Sequence, residues 1–307
     1  MNPAFGILLK VASTVLFTLM LVAIKATEGR VPEGEVVFFR SFFGLIPIVA
    51  MLAWQGLFPA ALRTPRPLVH FSRGLVGVTA MGLGFAAVQR LPLPEAMAIA
   101  YAAPLFLVAL GALVLHEPVR LYRWSAVLVG FLGIMIILWP QFELLRSGRL
   151  GSAALAGAAF GIVAAFLSAM AGIFVRSMTH SEGTGTIVFY FSVTSSVAGL
   201  LTIPFGWVAP SAFDAALLVS AGLFGGVGQI LMTSAYRNAD ASTIAPFEYA
   251  SMIWGVALGY LVFAELPGPS LLFGGPVVVA SGVFIILRER QLGLKRARQR
   301  RATPPHG

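Results

Sequence analysis

The stretch "TIAPFEYASMIWGVALGYLVFAE", residues 243–265, places a carboxylate, Glu248, inside an otherwise apolar run. If that run is a helix beginning near residue 241, Glu248 lies roughly 12 Å along its axis at about 1.5 Å per residue. A carboxylate at that depth in hydrocarbon costs roughly 2.5–3.5 kcal/mol on insertion scales, so it should face a bundle interior or a wet cavity. At the helical repeat, Glu248, Ser251, Met252, Gly255 and Gly259 share one side. Three roles are open to such an acid: carrying a proton, binding a cationic group, or hydrogen-bonding a neighbouring helix to fix packing.

Arg40 raises the same question from the other end of the charge scale. It stands in "FFRSFFG", residues 38–44, as the fifth residue of an apolar segment read as 36–55. At that shallow depth it is either an interface anchor whose stem snorkels outward, or an anion-binding or ion-pairing arginine at the mouth of a cavity. A direct pair with Glu248 is one such arrangement. Tyr101 and Tyr249 each fall about nine residues into a segment, which brings both toward mid-depth. Tyrosine rings can stack a flat molecule or fill space, and their hydroxyls need partners in lipid. Trp254 lies deeper on the same segment as Glu248, on another face. Lys10, Thr14, Thr18 and Lys25 form a polar stripe along the first segment. The lysines at its ends read as interface anchors, and the threonines as cavity lining or partners of backbone carbonyls.

Composition decides what must hold these residues. Of 307 residues, 58% are hydrophobic and 11% charged, against about 25% charged in a soluble domain. With a mean hydropathy of +0.89, this is the profile of a polytopic membrane protein. Spanning helices need roughly 20 apolar residues. Segments 5–26, 36–55, 68–89, 93–115, 121–139, 152–176, 184–204, 213–236, 241–263 and 270–288 qualify, with turn chemistry such as "EGRVPEGE" and "RLPLPE" between them. Helices are expected rather than a β-barrel, because runs such as "LVALGALVL" do not alternate. The N-terminal run lacks a basic n-region and reads as an uncleaved first span. With the N-terminus inside, Arg63, Arg66, Arg73, Arg120, Arg123, Arg176 and Arg237 fall on the cytoplasmic side, and so does the tail. Both termini are therefore expected in the cytoplasm, with the protein in a bacterial inner membrane. The tail "RERQLGLKRARQRR" has seven basic residues against one acid and suits anionic lipid. No domain exists to present nucleic-acid bases, so no nucleic-acid partner is expected.

The chain also repeats. Shifted by 148 residues, "EAMAIAYAAPLFLVALGALVLHE" lies over "TIAPFEYASMIWGVALGYLVFAE" without a gap. Tyr101 then matches Tyr249, Val108-Ala109-Leu110-Gly111 matches Val256-Ala257-Leu258-Gly259, and Glu117 matches Glu265. Gly74 and Gly77 match Gly222 and Gly225 under the same shift. Five spans per half is an odd number, so the halves must insert with opposite topology, a pattern of secondary transporters whose site lies near midplane between the repeats. These glycines, and Gly157 and Gly161 of "GAAFG", read as helix-packing positions. Pro104 and Pro246 predict bends in spans four and nine.

The ten segments, the "AYAAPLFLVALGALVLHE" and "APFEYASMIWGVALGYLVFAE" stretches, and "FFRSFFG" early in span two resemble the drug/metabolite transporter superfamily, in its EamA-like branch. The resemblance covers about residues 5–288; its motifs are specific for the superfamily and weak for substrate. It implies an all-α membrane protein of ten transmembrane helices, arranged as two inverted five-helix repeats around a central cavity. The expected division is 1–139 for the first repeat, 140–151 for the connecting loop, 152–288 for the second repeat and 289–307 for the basic tail. Members of the family export amino acids and other metabolites or import vitamins and nucleoside-like compounds. The implied partner is thus a small organic molecule moved by alternating access. Candidate contacts are Glu248, Arg40, Tyr101, Tyr249, Thr14, Thr18, Ser251 and Trp254. In "HEP" the first repeat carries a proline where Leu266 follows Glu265 in the second, a departure confined to a loop.

An enzyme is disfavoured. His70, His116, His180 and His306 are read as loop or tail residues, there is no HExxH or GxSxG pattern, and Asp214 and Asp240 lie at span ends. No cofactor or metal is expected. A membrane receptor or assembly factor that moves nothing is the alternative from another class.

Overall fold

In the computed structural model, residues 3–113, 121–146, 152–178, 181–238 and 245–302 are described, and all their regular structure is helical. The first half supplies five spans: α1 (Pro3–Lys25), α2 (Glu33–Trp54), α3 (Pro67–Arg90), a broken pair α4 (Leu93–Ala100) and α5 (Ala102–Leu113), and α6 (Leu121–Arg146). The second half supplies α7 (Ser152–Met178), α8 (Thr184–Leu200), α9 (Ala212–Asn238), a 3-10 turn (Ala245–Tyr249) leading into α10 (Ala250–Phe263), and α11 (Pro269–Ala302). Six spans among the described residues are long and apolar enough to cross a membrane, and four shorter apolar helices accompany them. This is an all-α, multi-pass integral membrane protein.

The breaks in spans four and nine have a backbone cause. Proline lacks the N–H that would bond the carbonyl four residues earlier, and its ring crowds that carbonyl. Pro104 therefore cannot continue the ladder from Ala100, and the helix is interrupted at Tyr101, whose N–H turns instead to the Ala98 carbonyl at 3.2 Å. In span nine, Pro246 sits inside the 3-10 turn and the α-helix begins just after Tyr249. The two tyrosines share nearly one conformation, φ −68°, ψ −3° at Tyr101 and φ −68°, ψ −11° at Tyr249. The interruption thus falls on the repeat-related tyrosines.

Packing is reciprocal between the halves. α1 packs on α9 as α7 packs on α3; α2 packs on α9 as α8 packs on α3; α6 and α11 pack on each other. Numbered by span, each of these contacts maps onto its counterpart when the halves are exchanged. In lipid there is little hydrophobic drive between helices, so close approach through small residues does the work. A Cβ on Gly77 would lie 2.8 Å from the Phe191 ring, and one on Gly222 would lie 2.5 Å from Phe43 Cβ. Phe43 and Phe191 are themselves 148 residues apart.

Two sequence expectations need correction. Lys10 and Lys25 are not lipid-interface anchors: Lys10 is 1% exposed and Lys25 12%, and each holds a glutamate of span nine. His70 is buried in α3, with its ring 4.8 Å from that of Tyr190, rather than in a loop. The basic stretch after residue 288 is helical as far as Ala302, where α11 ends. Glu117, His116, His180 and His306 lie outside the described residues.

Candidate binding cavity

The two broken spans meet beside α1, and a cavity of about 820 Å³ opens there. α1 contributes Thr14, Phe17 and Thr18; α3 contributes Met81 and Phe85; α7 contributes Ser168. The broken spans add Met97, Tyr101 and Pro104 from one half, and Glu248, Tyr249 and Ser251 from the other. Its size falls within the roughly 300–1,000 Å³ typical of small-molecule sites, and its mostly apolar wall with a few convergent polar groups is of the same kind.

The tyrosines form the centre of the wall, with ring centroids 5.0 Å apart and planes inclined at 50°. The Tyr101 hydroxyl is hydrogen-bonded to Ser251 Oγ, and Ser251 Oγ donates to the Glu248 carbonyl at 2.7 Å. The Tyr249 hydroxyl occupies space that Gly282 leaves open: a Cβ there would lie 1.7 Å from the phenolic oxygen. Any side chain on α11 at this position would push the ring out of place.

Glu248 is the charged group on the cavity wall. Its Oε2 accepts from Lys10 Nζ at 2.7 Å, and the two partners differ sharply: the lysine side chain is 1% exposed and the carboxylate 50%. The ammonium is therefore held inside the protein while the carboxylate looks into the open space. One helical turn further along α1, Thr14 Oγ1 accepts from Trp254 Nε1 at 3.2 Å. At the far end Lys25 Nζ meets Glu265 Oε1 at 2.9 Å and donates to the Leu91 carbonyl at 2.6 Å. Lys10–Glu248, Thr14–Trp254 and Lys25–Glu265 rise together along both helices, so α1 and span nine run parallel. The polar stripe on span one is the seam between them.

The predicted site residues thus separate. Glu248, Tyr101, Tyr249, Thr14, Thr18 and Ser251 line one cavity. Thr14 and Thr18 also donate to backbone carbonyls, of Val11 and Thr14, at 2.7 and 2.8 Å. Trp254 is tied to Thr14 and is not among the lining residues, and neither is Arg40. Arg40 does not snorkel. Its helix starts at Glu33, so it is the eighth residue rather than the fifth, and its Nε is buried against α9 beside Gly225. It does not pair with Glu248, whose partner is Lys10. Lys10 is the partner of a site residue that sequence reasoning missed, having read it as an interface anchor. Its position in line with Thr14 and Thr18 was the available signal. Ser168, also on the wall, carried none.

The comparisons with known proteins agree with this architecture. The model of the EamA-like transporter family matches residues 4–139 and again 155–288. Among curated relatives, the S-adenosylmethionine uptake transporter of Rickettsia bellii is 29% identical over 265 residues, 85% of this chain and 86% of its own length. The pseudopaline exporter CntI of Pseudomonas aeruginosa is 29% identical over 284 residues, 91% and 95% of the two chains. The riboflavin transporter of Rhizobium johnstonii is 31% identical over 262 residues, 84% and 82%. A solved crystal structure superposes with a TM-score of 0.66 over 95% of this chain and 99% of its own, at 20% identity, a likeness of fold alone. With the family model covering both halves and the broken, tyrosine-bearing spans meeting at one cavity, this chain belongs to the EamA-like transporter family.

Proposed function

We propose that the chain carries a small organic metabolite across a bacterial inner membrane by alternating access through the tyrosine-lined cavity. The observation that carries this reading is the origin of the cavity wall. Both halves contribute a broken span, at equivalent tyrosines, to one space of about 820 Å³. In inverted-repeat transporters the site lies between the repeats on discontinuous helices, and alternation is a rocking of one repeat against the other. In this reading, residues 1–139 and 152–288 are the two repeats, inverted in the membrane, with 140–151 joining them. The tail from 289 lies on cytoplasmic anionic lipid, and both termini are cytoplasmic.

The wall favours a molecule with a flat or apolar body and a few hydrogen-bonding groups. Tyr101 and Tyr249 take the body, and Thr14, Thr18 and Ser251 offer hydroxyls. Glu248 is compensated by Lys10, so the site is close to charge-balanced when empty. A substrate ammonium would compete with Lys10 for the carboxylate, and a proton would release Lys10 from it; either event links site occupancy to the packing of α1 on span nine.

Uptake into vesicles containing only this protein tests the reading. S-adenosylmethionine, riboflavin and a set of aromatic amino acids are natural first compounds, assayed by exchange of labelled for unlabelled solute. Saturable exchange that Tyr249→Ala abolishes at equal protein density supports the proposal. Exchange of no compound above protein-free vesicles, in protein shown to be folded, would favour a receptor or assembly role.

A further inference from the structure

Away from the cavity, two arginines bury guanidinium nitrogens without a counter-charge. Arg40 Nε on α2, and both Nε and Nη1 of Arg73 on α3, have no accessible surface and no hydrogen-bond partner. Among the described residues neither guanidinium forms an ion pair. The two stand on neighbouring helices that pack on each other, α2 and α3. Arg40 packs on Gly225, where a Cβ would come within 3.2 Å of Nε, and Arg73 stands over the Phe191 ring at 3.9 Å. Arg40 is the eighth residue of α2 and Arg73 the seventh of α3.

Burying one charge without a partner is expensive, and a second of the same sign on the neighbouring helix adds to the cost. Among the described residues, Lys10 and Lys25 each hold an acid, Glu248 and Glu265. The arginine pair lacks one, yet both residues keep partial exposure. Guanidinium forks present parallel N–H donors that match a planar carboxylate or a phosphate.

We propose that Arg40 and Arg73 form an oxyanion-binding site between α2 and α3, separate from the tyrosine-lined cavity, that takes a carboxylate or phosphate group. The anion supplies the missing counter-charge and holds α2 and α3 together against α8 and α9. The source of the oxyanion is either a soluble anion or a lipid headgroup, and the site holds whether or not the cavity transports.

The test uses the full chain in nanodiscs of phosphatidylcholine, with thermal unfolding followed against inorganic phosphate and against benzoate at constant ionic strength. A saturable rise in unfolding temperature with either probe, absent in Arg73→Gln and in Arg40→Gln, assigns a soluble oxyanion. A rise that appears only when the discs contain phosphatidylglycerol, and is lost in the same variants, assigns a headgroup. Arg73→Lys, which keeps the charge and the fold, should bind at least tenfold more weakly because it lacks the fork. That variant serves if the glutamine substitutions do not fold. No saturable response of the wild type to phosphate, benzoate or phosphatidylglycerol overturns the site, as does an equal response in Arg73→Lys and wild type. Loss of transport with this response intact would count against the cavity alone.

Discussion

The Lys10–Glu248 pair makes an asymmetric prediction. Removing one partner of a fully buried ion pair costs about 3–5 kcal/mol, because the other charge is left uncompensated. Here only the lysine is fully buried, at 1% exposure against 50% for the carboxylate. Glu248→Gln leaves the inaccessible ammonium without its carboxylate. The glutamine oxygen still accepts a hydrogen bond and the exposed side of the pair is screened, so the cost falls to about 2 kcal/mol. Lys10→Met leaves a carboxylate that already faces open space and replaces the lysine stem with an apolar chain of similar length, so it should cost about 1 kcal/mol or less. The double variant leaves no unpaired charge and should cost about 1 kcal/mol, which makes the coupling about 2 kcal/mol. Denaturation titrations in mixed micelles, followed by the fluorescence of the chain's five tryptophans, give all four corners of the cycle. The reasoning is refuted if Lys10→Met costs as much as Glu248→Gln, or if the two effects add to within about 0.3 kcal/mol.

Other outcomes follow from the same geometry. Gly282→Ala puts a methyl where the Tyr249 hydroxyl now sits, 1.7 Å from the phenolic oxygen. It should lower exchange at least tenfold while Gly282→Ala/Tyr249→Phe recovers part of it; equal exchange in Gly282→Ala and wild type would place Tyr249 outside the path. Lys25→Met should cost about 3 kcal/mol, more than Lys10→Met, because Glu265 is itself only 20% exposed and would be left buried without its cation. Denaturation of Lys25→Met alongside Lys10→Met checks that order.

Much of the architecture was legible because a bilayer restricts what sequence can do. The ten apolar segments had to be helices, and the 148-residue shift that aligned Tyr101 with Tyr249 also located the two breaks. The prolines pointed to the breaks without fixing them, since the interruption follows Pro246 but precedes Pro104. Pairing was not legible. Lys10 and Glu248 are 238 residues apart, and nothing local says that α1 lies parallel to span nine. A lysine near a helix end is equally compatible with an interface until the neighbouring helix is known. Arg40 was misplaced for a smaller reason: "PEGE" holds two acids, which read as loop, whereas Glu33 and Glu35 form the first turn of α2. Acidic residues are favoured there by the helix dipole, and three more residues of helix carried Arg40 out of snorkelling range.

The central claim is that one cavity serves both sides of the membrane. The chain has no cysteine, so a single introduced thiol reports without background. Ser168→Cys puts that thiol on the cavity wall at an exposed position of α7. Right-side-out and inverted membrane vesicles are then exposed to a membrane-impermeant thiol reagent, and the labelling rates are compared. Alternating access predicts labelling from both sides, with label bound from one side blocking labelling from the other. Labelling from one side only, in both vesicle types and at every time point, would contradict the account.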